Sequence, residues 1–220
     1  MDIHSVINNA GQLWSGVIIT LELSAITIAI STFTGFIVAL LSISPYRVVR
    51  LPIRTYIEIF RCTPALVQVV WFFYCVPVLF NVFWEPFTMG VIVFSLNLTA
   101  YNAEAYRAAI QAVPGAHSDA AVALGLKRTQ YYRFVVFPQA LRLAVPVLLT
   151  NSIGMIQQSA LVALVAVNDL MYESKALASQ TYRPVEVFTV AAGVYFLISL
   201  VMSRVVEFVS KRTSRLIDAR

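Results

Sequence analysis

Residues 115–142 read GAHSDAAVALGLKRTQYYRFVVFPQALR, a basic stretch set between two long apolar runs. Lys127, Arg128, Arg133 and Arg142 stand in it against one acid, Asp119. Short basic stretches between hydrophobic runs are retained on the cytoplasmic side of membranes, so this one reads as a cytoplasmic loop with structure of its own. Its pattern is helical, interrupted once. The Ala-rich segment 119–124 favours helix, and Gly125 supplies a stop or turn. Thr129 can cap a second helix that gathers Tyr131, Tyr132, Phe134 and Val135 on one side. Pro138 forces a kink or restart, because proline lacks the amide hydrogen and its ring collides with the preceding turn. The expected result is a short helix, a turn and a helix lying across the cytoplasmic face, offered to something outside the membrane.

The remainder of the chain supplies that membrane. Of its 220 residues 59% are hydrophobic and only 12% charged, whereas a soluble domain carries about 25% charged residues. Mean hydropathy is +0.77. The net charge of +5 does not indicate nucleic acid, since the basic residues sit between apolar runs, where they set topology. Cys62 and Cys75 lie about 20 Å apart along one straight helix, too far to pair, and read as small apolar fillers. No basic region followed by a short apolar core and a small-residue cleavage site opens the chain, so the first span is expected to direct its own insertion.

Five charge-poor runs follow one another. Residues 23–46, 62–84, 86–103, 143–168 and 187–203 contain no charge except Glu85 just outside the third, and a span needs about 20 residues. Ser44 and Pro45 end the first run. Pro64 and Pro77 interrupt the second, which is expected to bend near Pro64 and face protein there, because a carbonyl freed by proline must be satisfied inside the bundle. The fourth run is longer than one span requires, so its distal part is expected to tilt, break or leave the membrane before Asp169. Segments 45–54, 107–142 and 204–220 hold 13 of the 16 Lys and Arg residues. That asymmetry predicts an all-α membrane protein with five spans, its N-terminus outside and its C-terminus in the cytoplasm. The whole of 1–220 is read as one membrane domain, with no room for a soluble catalytic domain on either side.

Uncommitted amides are costly against lipid, so Asn97, Asn102, Gln157, Gln158 and Ser159 are candidates to line a path, with interhelical hydrogen bonding as the plainer alternative. Glu58 and Arg61 can pair along one helix, as can Glu104 and Arg107. Arg61 lies one turn before Pro64, where a guanidinium beside freed backbone groups suits a carboxylate or a gate. Trp14, Trp71 and Trp84 read as interface anchors. His4 and His117 lie away from the apolar runs, and two potential ligands beside His117 fall short of a metal site. No nucleophile elbow or phosphate loop is present, so energy must come from a partner or an ion gradient.

The residues also carry a resemblance. DAAVALGLKRTQYYRFVVFPQALR resembles the cytoplasmic loop of permease subunits of bacterial ABC importers, with Asp119, Ala120, Ala121, Gly125 and Pro138 at that loop's signature positions and aspartate in place of the usual glutamate. FRCTPALVQVVWF at 60–72, which contains Arg61, Thr63 and Pro64, resembles the corresponding segment of the polar amino-acid subfamily; TAYNAEAYRAAIQAVPGA at 99–116, QQSALVALVAVNDL at 157–170 and RPVEVF at 183–188 continue the likeness. The resemblance implies a type I ABC importer permease in the bacterial inner membrane. It also implies as partners a second permease, two cytoplasmic ATPase subunits that bind ATP and Mg2+, and an extracytoplasmic solute-binding protein, with no cofactor in this chain. Residues 115–138 would then be the coupling helix and its flanks, seated on the ATPase with Arg128 and Arg133 at the rim. Cys62 stands where that family usually has glycine, and Gln157 where many members have lysine. A second, non-identical permease supplying the missing charge is the preferred explanation. The expected cargo is a polar amino acid or a related compound such as a basic amino acid, an opine or an ectoine-like zwitterion. An ion-gradient carrier and a non-transporting scaffold are the rival readings.

Overall fold

The computed structural model describes residues 9–116, 121 and 124–218, the side chains of 128 and 209–218 excepted, and every regular element among them is helical. Helix α1 spans Ala10–Ser42, α2 Arg47–Cys62, α3 Ala65–Phe80 and α4 Pro86–Gln111. After the basic segment come α5 (Arg128–Tyr131), a π-helical turn (Tyr132–Val136) and α6 (Phe137–Gln158). A 3₁₀ segment (Ser159–Val165), α7 (Leu170–Thr181) and α8 (Pro184–Asp218) complete the chain.

Helix α1 is the spine. Its 33 residues run about 50 Å at 1.5 Å per residue. One side carries Thr20, Ser24, Thr27, Ser31, Gly35 and Ala39, all buried. Small residues at intervals of three and four let two helix backbones approach closely, which is how helices associate where lipid removes the usual hydrophobic drive. At Gly35 the approach to α4 is close, for a Cβ there would stand 2.8 Å from Asn102 Cβ. The same helix meets three apolar clusters in turn. Leu13 and Val17 pack with Leu170, Leu177 and Val187 of α7 and α8. Leu23 joins Val69, Phe94, Met155 and Val162 in the middle. Ala39 meets Ile57, Tyr106, Ala140 and Leu148 at the far end.

By length and composition three helices can cross a membrane, Ala10–Ser42, Thr129–Val165 and Pro184–Phe208, or four if the bent pair α2 and α3 counts as one. Helix α4 has 26 residues but is polar through its second half, where Asn97, Thr99 and Asn102 are buried against its neighbours. The bend expected near Pro64 is a full break, with α2 and α3 meeting at 107°. The long fourth run also breaks: α6 tightens to 3₁₀ geometry at Ser159 and ends with Ala166 at φ 58°, in the left-handed region. Beyond that run, residues 170–181 fold into α7. Asp169 caps that helix by accepting a hydrogen bond from the Tyr172 amide at 2.9 Å.

Candidate functional site

Two features stand out, the α2–α3 break with the cavity beside it, and the segment that precedes α6. At the break, Thr63 and Pro64 are extended and Pro64 is the N-cap residue of α3. Ending a helix frees its last carbonyls, and here side chains take them. Gln68 Nε2 lies 2.9 Å from the Phe60 carbonyl, 3.1 Å from that of Thr63 and 2.6 Å from Thr63 Oγ1. Asn97 Nδ2 donates to Gln68 Oε1 at 2.9 Å and approaches the Phe60 carbonyl at 3.3 Å. Tyr56 donates its hydroxyl to the Leu96 carbonyl at 2.7 Å. The backbone around Pro64 is therefore occupied by this chain's own groups, and Arg61 is what the break leaves open.

Arg61 does not pair with Glu58. Its guanidinium stands 3.8 Å from Glu104 of α4 and 5.7 Å from the centre of the Tyr101 ring. Glu104 is already gripped by Arg107 through two charge-assisted hydrogen bonds, one of them 2.8 Å from Nε to Oε2. Two cations thus share one carboxylate, and the cluster keeps a net positive charge. Tyr101 also lines a cavity of about 160 Å³ between α4 and α6, together with Asn97, Thr150, Asn151, Gly154 and Gln158. Asn151 donates to Asn102 Oδ1 at 3.1 Å, so Asn102 supports the cavity wall from behind without lining it. Gln157 points elsewhere, 3.5 Å from Ser199 of α8, and Ser159 is fully buried with its hydroxyl on the Ile156 carbonyl. Of the sequence candidates, Asn97 and Gln158 come together here with Arg61 close by, while Gln157 and Ser159 do not join them. Gln68, Tyr101 and Asn151 were not singled out in the sequence. A lone amide in the apolar run ALVQVVWFF was the available signal for Gln68.

In the second feature, Asp119 and Ala120 lie outside the described residues. Ala121 is helical and buried, and its carbonyl accepts from the Leu126 amide at 3.0 Å. With Gly125 at φ 69°, that bond has the six-to-one spacing of a Schellman turn. The next helix starts at Arg128, one residue before Thr129, and its first turn is held by Gln130 Oε1 accepting from the Lys127 amide at 2.9 Å. Pro138 has no amide hydrogen, so the ladder widens: the Phe137 amide reaches back five residues to the Tyr132 carbonyl. Arg133 lies over the Phe134 ring at 5.6 Å. It also borders an apolar cavity of about 300 Å³ against Phe36, Leu40 and Ile110.

Comparison with known proteins places this geometry. Residues 31–215 match the family described as binding-protein-dependent transport system inner membrane component. The chain is 30% identical to the glutamate/aspartate import permease protein GltK of Escherichia coli O6:H1, covering 97% of this chain and 98% of that one. It is 33% identical to the nopaline transport system permease protein NocM of Agrobacterium fabrum, over 94% and 89% of the two chains. Among solved structures, one titled as an amino acid ABC transporter with histidines superposes with a TM-score of 0.92 at 32% identity, covering 96% of this chain and 99% of that chain. The inward-facing MetNI methionine ABC transporter shares the fold, with a TM-score of 0.71 at 19% identity over 90% and 96% of the two chains. This chain belongs to the binding-protein-dependent transport system inner membrane component family, the permease subunits of ABC importers.

Proposed function

We propose that this permease carries polar amino acids or related zwitterions, such as basic amino acids or opines, inward through a path that passes the α4–α6 cavity. The observation that carries this reading is the cavity to which Asn97, Asn151 and Gln158 contribute amides, beside the part-paired guanidinium of Arg61. A carboxylate entering there finds a cation that Glu104 shares with Arg107. The exposed N-terminal turn of α3 adds its own partial positive charge. The likeness to permeases named for glutamate/aspartate and nopaline supports that cargo class.

The whole chain acts as one permease domain with five spans, α1, the α2–α3 pair, α4, α6 and α8. Its N-terminus is outside and its C-terminus in the cytoplasm. Residues 115–138 form the coupling segment, with Asp119, Ala120, Ala121, Gly125, Arg128, Arg133 and Pro138 shaping the surface that seats on the ATPase. Hydrolysis of ATP with Mg2+ takes place in that partner, and a second, non-identical permease and an extracytoplasmic binding protein complete the importer. The test is uptake of labelled arginine, glutamate and octopine into vesicles that hold the reconstituted complex. Uptake that needs both internal ATP and the binding protein supports the reading. Uptake that persists without ATP and collapses with the ion gradient supports a secondary carrier instead.

A further inference from the structure

Helix α2 has three faces where a half-buried amphipathic helix needs two. Ile53, Tyr56 and Ile57 turn inward to the cluster around Ala103 and Tyr106. On another side Val48, Leu51, Pro52, Thr55 and Ile59 recur at three and four residues, which is one stripe of a helix. That stripe faces outward: Val48 is 87% exposed, Leu51 70% and Ile59 54%. Between the two faces run Arg47, Arg50 and Arg54 at the same spacing, and Glu58 is the single acid in the 16 residues of the helix. Among the described residues none of these three arginines makes an ion pair or a side-chain hydrogen bond, and only Arg54 lies within the field of Glu104.

The position of the helix says what meets this surface. Helix α1, an apolar span, ends at Ser42, and Arg47 begins α2 five residues later. At its far end α2 reaches the middle of α4, where Tyr56 and Phe60 meet Leu96 and Asn97, so α2 slants from the cytoplasmic boundary at Arg47 into the inner leaflet before the 107° break. A helix so placed, with arginines in its first turns beside an apolar stripe, sets cations among the headgroups and the stripe among acyl chains. Guanidinium forks match phosphate oxygens two at a time.

We propose that α2 binds anionic phospholipid at the cytoplasmic boundary of the membrane, with Arg47, Arg50 and Arg54 on the headgroup phosphates and Val48, Leu51 and Ile59 among the acyl chains. A protein partner would need acids opposite three arginines and an apolar surface beside them. An anionic leaflet offers both at the depth where this helix lies. The inference rests on the cytoplasmic placement of 45–54 given above.

The test uses the assembled transporter in vesicles of phosphatidylcholine mixed with phosphatidylglycerol, with Cys62→Ser, Cys75→Ser and Leu51→Cys, the last carrying an environment-sensitive fluorophore. Nitroxide-labelled phosphatidylglycerol is expected to quench the fluorophore more than the same label on phosphatidylcholine. Each of R47Q, R50Q and R54Q should weaken that preference by roughly fivefold, corresponding to about 1 kcal/mol per basic residue at an anionic surface. Salt should weaken it in the unsubstituted chain, and Arg→Lys should retain it. Equal quenching by the two lipids, unchanged by the substitutions, overturns the inference, as does an unquenched position 51 that crosslinks to another subunit. An impermeant quencher that reaches position 51 from outside removes the topology beneath it, whereas a cytoplasmic position 51 without lipid preference removes this inference alone.

Discussion

Gln68 is the side chain on which the α2–α3 break depends, because its amide covers the Phe60 carbonyl, whose helical donor would be the amide hydrogen that Pro64 lacks, and the Thr63 carbonyl as well. Gln68→Leu should leave the Thr63 carbonyl without its side-chain donor, and leave Asn97 Nδ2 and the Phe60 carbonyl with only their mutual 3.3 Å contact, a loss of about 1–3 kcal/mol for each buried group orphaned. Asn97→Leu should cost less, and the double substitution should fall short of the sum, since both act on one network. Thermal unfolding of the purified complex in detergent measures all three, and strict additivity would show that the two amides work independently. Asp169 makes a different prediction. Burial pushes its carboxyl up to about 6, against the opposing hydrogen bonds from the Tyr172 amide and the Tyr195 hydroxyl. The folded form then holds a proton that the unfolded chain releases near its ordinary value, so stability is highest at acid pH and falls as pH rises through about 6. The limb is on the order of 3 kcal/mol at most, and it should vanish in Asp169→Asn, whose side-chain oxygen still caps α7. An identical pH profile of unfolding in the two proteins would place the titrating group elsewhere. Sequence alone could mark Gln68 as an amide among apolar residues, but no spacing rule links Asp169 to Tyr195 or to Thr20, whose hydroxyl accepts from the Leu170 amide. Such contacts depend on which helices become neighbours.

Elements were legible where one physical signal dominates. Charge-free runs located α1, α6 and α8, and Pro64 announced the break, because neither signal depends on neighbouring helices. Helix α7 was missed because its polar sequence carries no period that separates it from a loop; its cap becomes visible only once Asp169 is buried at 0% exposure. The π turn before α6 was legible only as a kink, since Pro138 dictates a lost hydrogen bond but not how the ladder recovers it. The small stripe on α1 passed unnoticed inside a uniformly apolar run, yet it sets how closely α1 and α4 approach. Gly35→Leu should therefore force those helices apart at Asn102 and lower the unfolding temperature by several degrees, as overpacking costs about 1–3 kcal/mol; unchanged stability would mean that the pair opens without cost. Gly125 is the contrasting case. Among the described residues a Cβ there meets nothing within 4 Å, and it is the φ of 69° that objects to a side chain. Gly125→Val should leave insertion and global stability nearly intact while it distorts the turn, by about 1–2 kcal/mol of backbone strain. If that turn positions the coupling segment, ATP hydrolysis should persist while uptake and ATPase attachment fall together. Normal uptake by this variant would remove the turn from the coupling surface.

At the scale of the whole molecule, charge and packing bear on the same question of which end meets the ATPase. The cluster joining Ala39, Ile57, Tyr106 and Ala140 lies at the end of α1 from which the basic segments emerge, while α7 packs at the opposite end with Leu13 and Val17. Cationic side chains gather at the first end: Arg47, Arg50 and Arg54 begin α2, Arg107 ends α4, and Lys127 to Arg142 lead into α6. Retention of positive charge orients such a chain during insertion, so both observations favour one arrangement, with 115–138 in the cytoplasm and α7 outside. Single cysteines at 127 and at 175, in a chain lacking Cys62 and Cys75, give this arrangement a direct check. An impermeant maleimide added to intact cells should label position 175 and spare 127, and both should react once the membrane is opened. Crosslinking from 127 should then capture the ATPase, whereas crosslinking from 175 should not. Labelling of 127 in intact cells would reverse the molecule in the membrane and, with it, the assignment of 115–138 as the segment through which the ATPase moves the α4–α6 cavity.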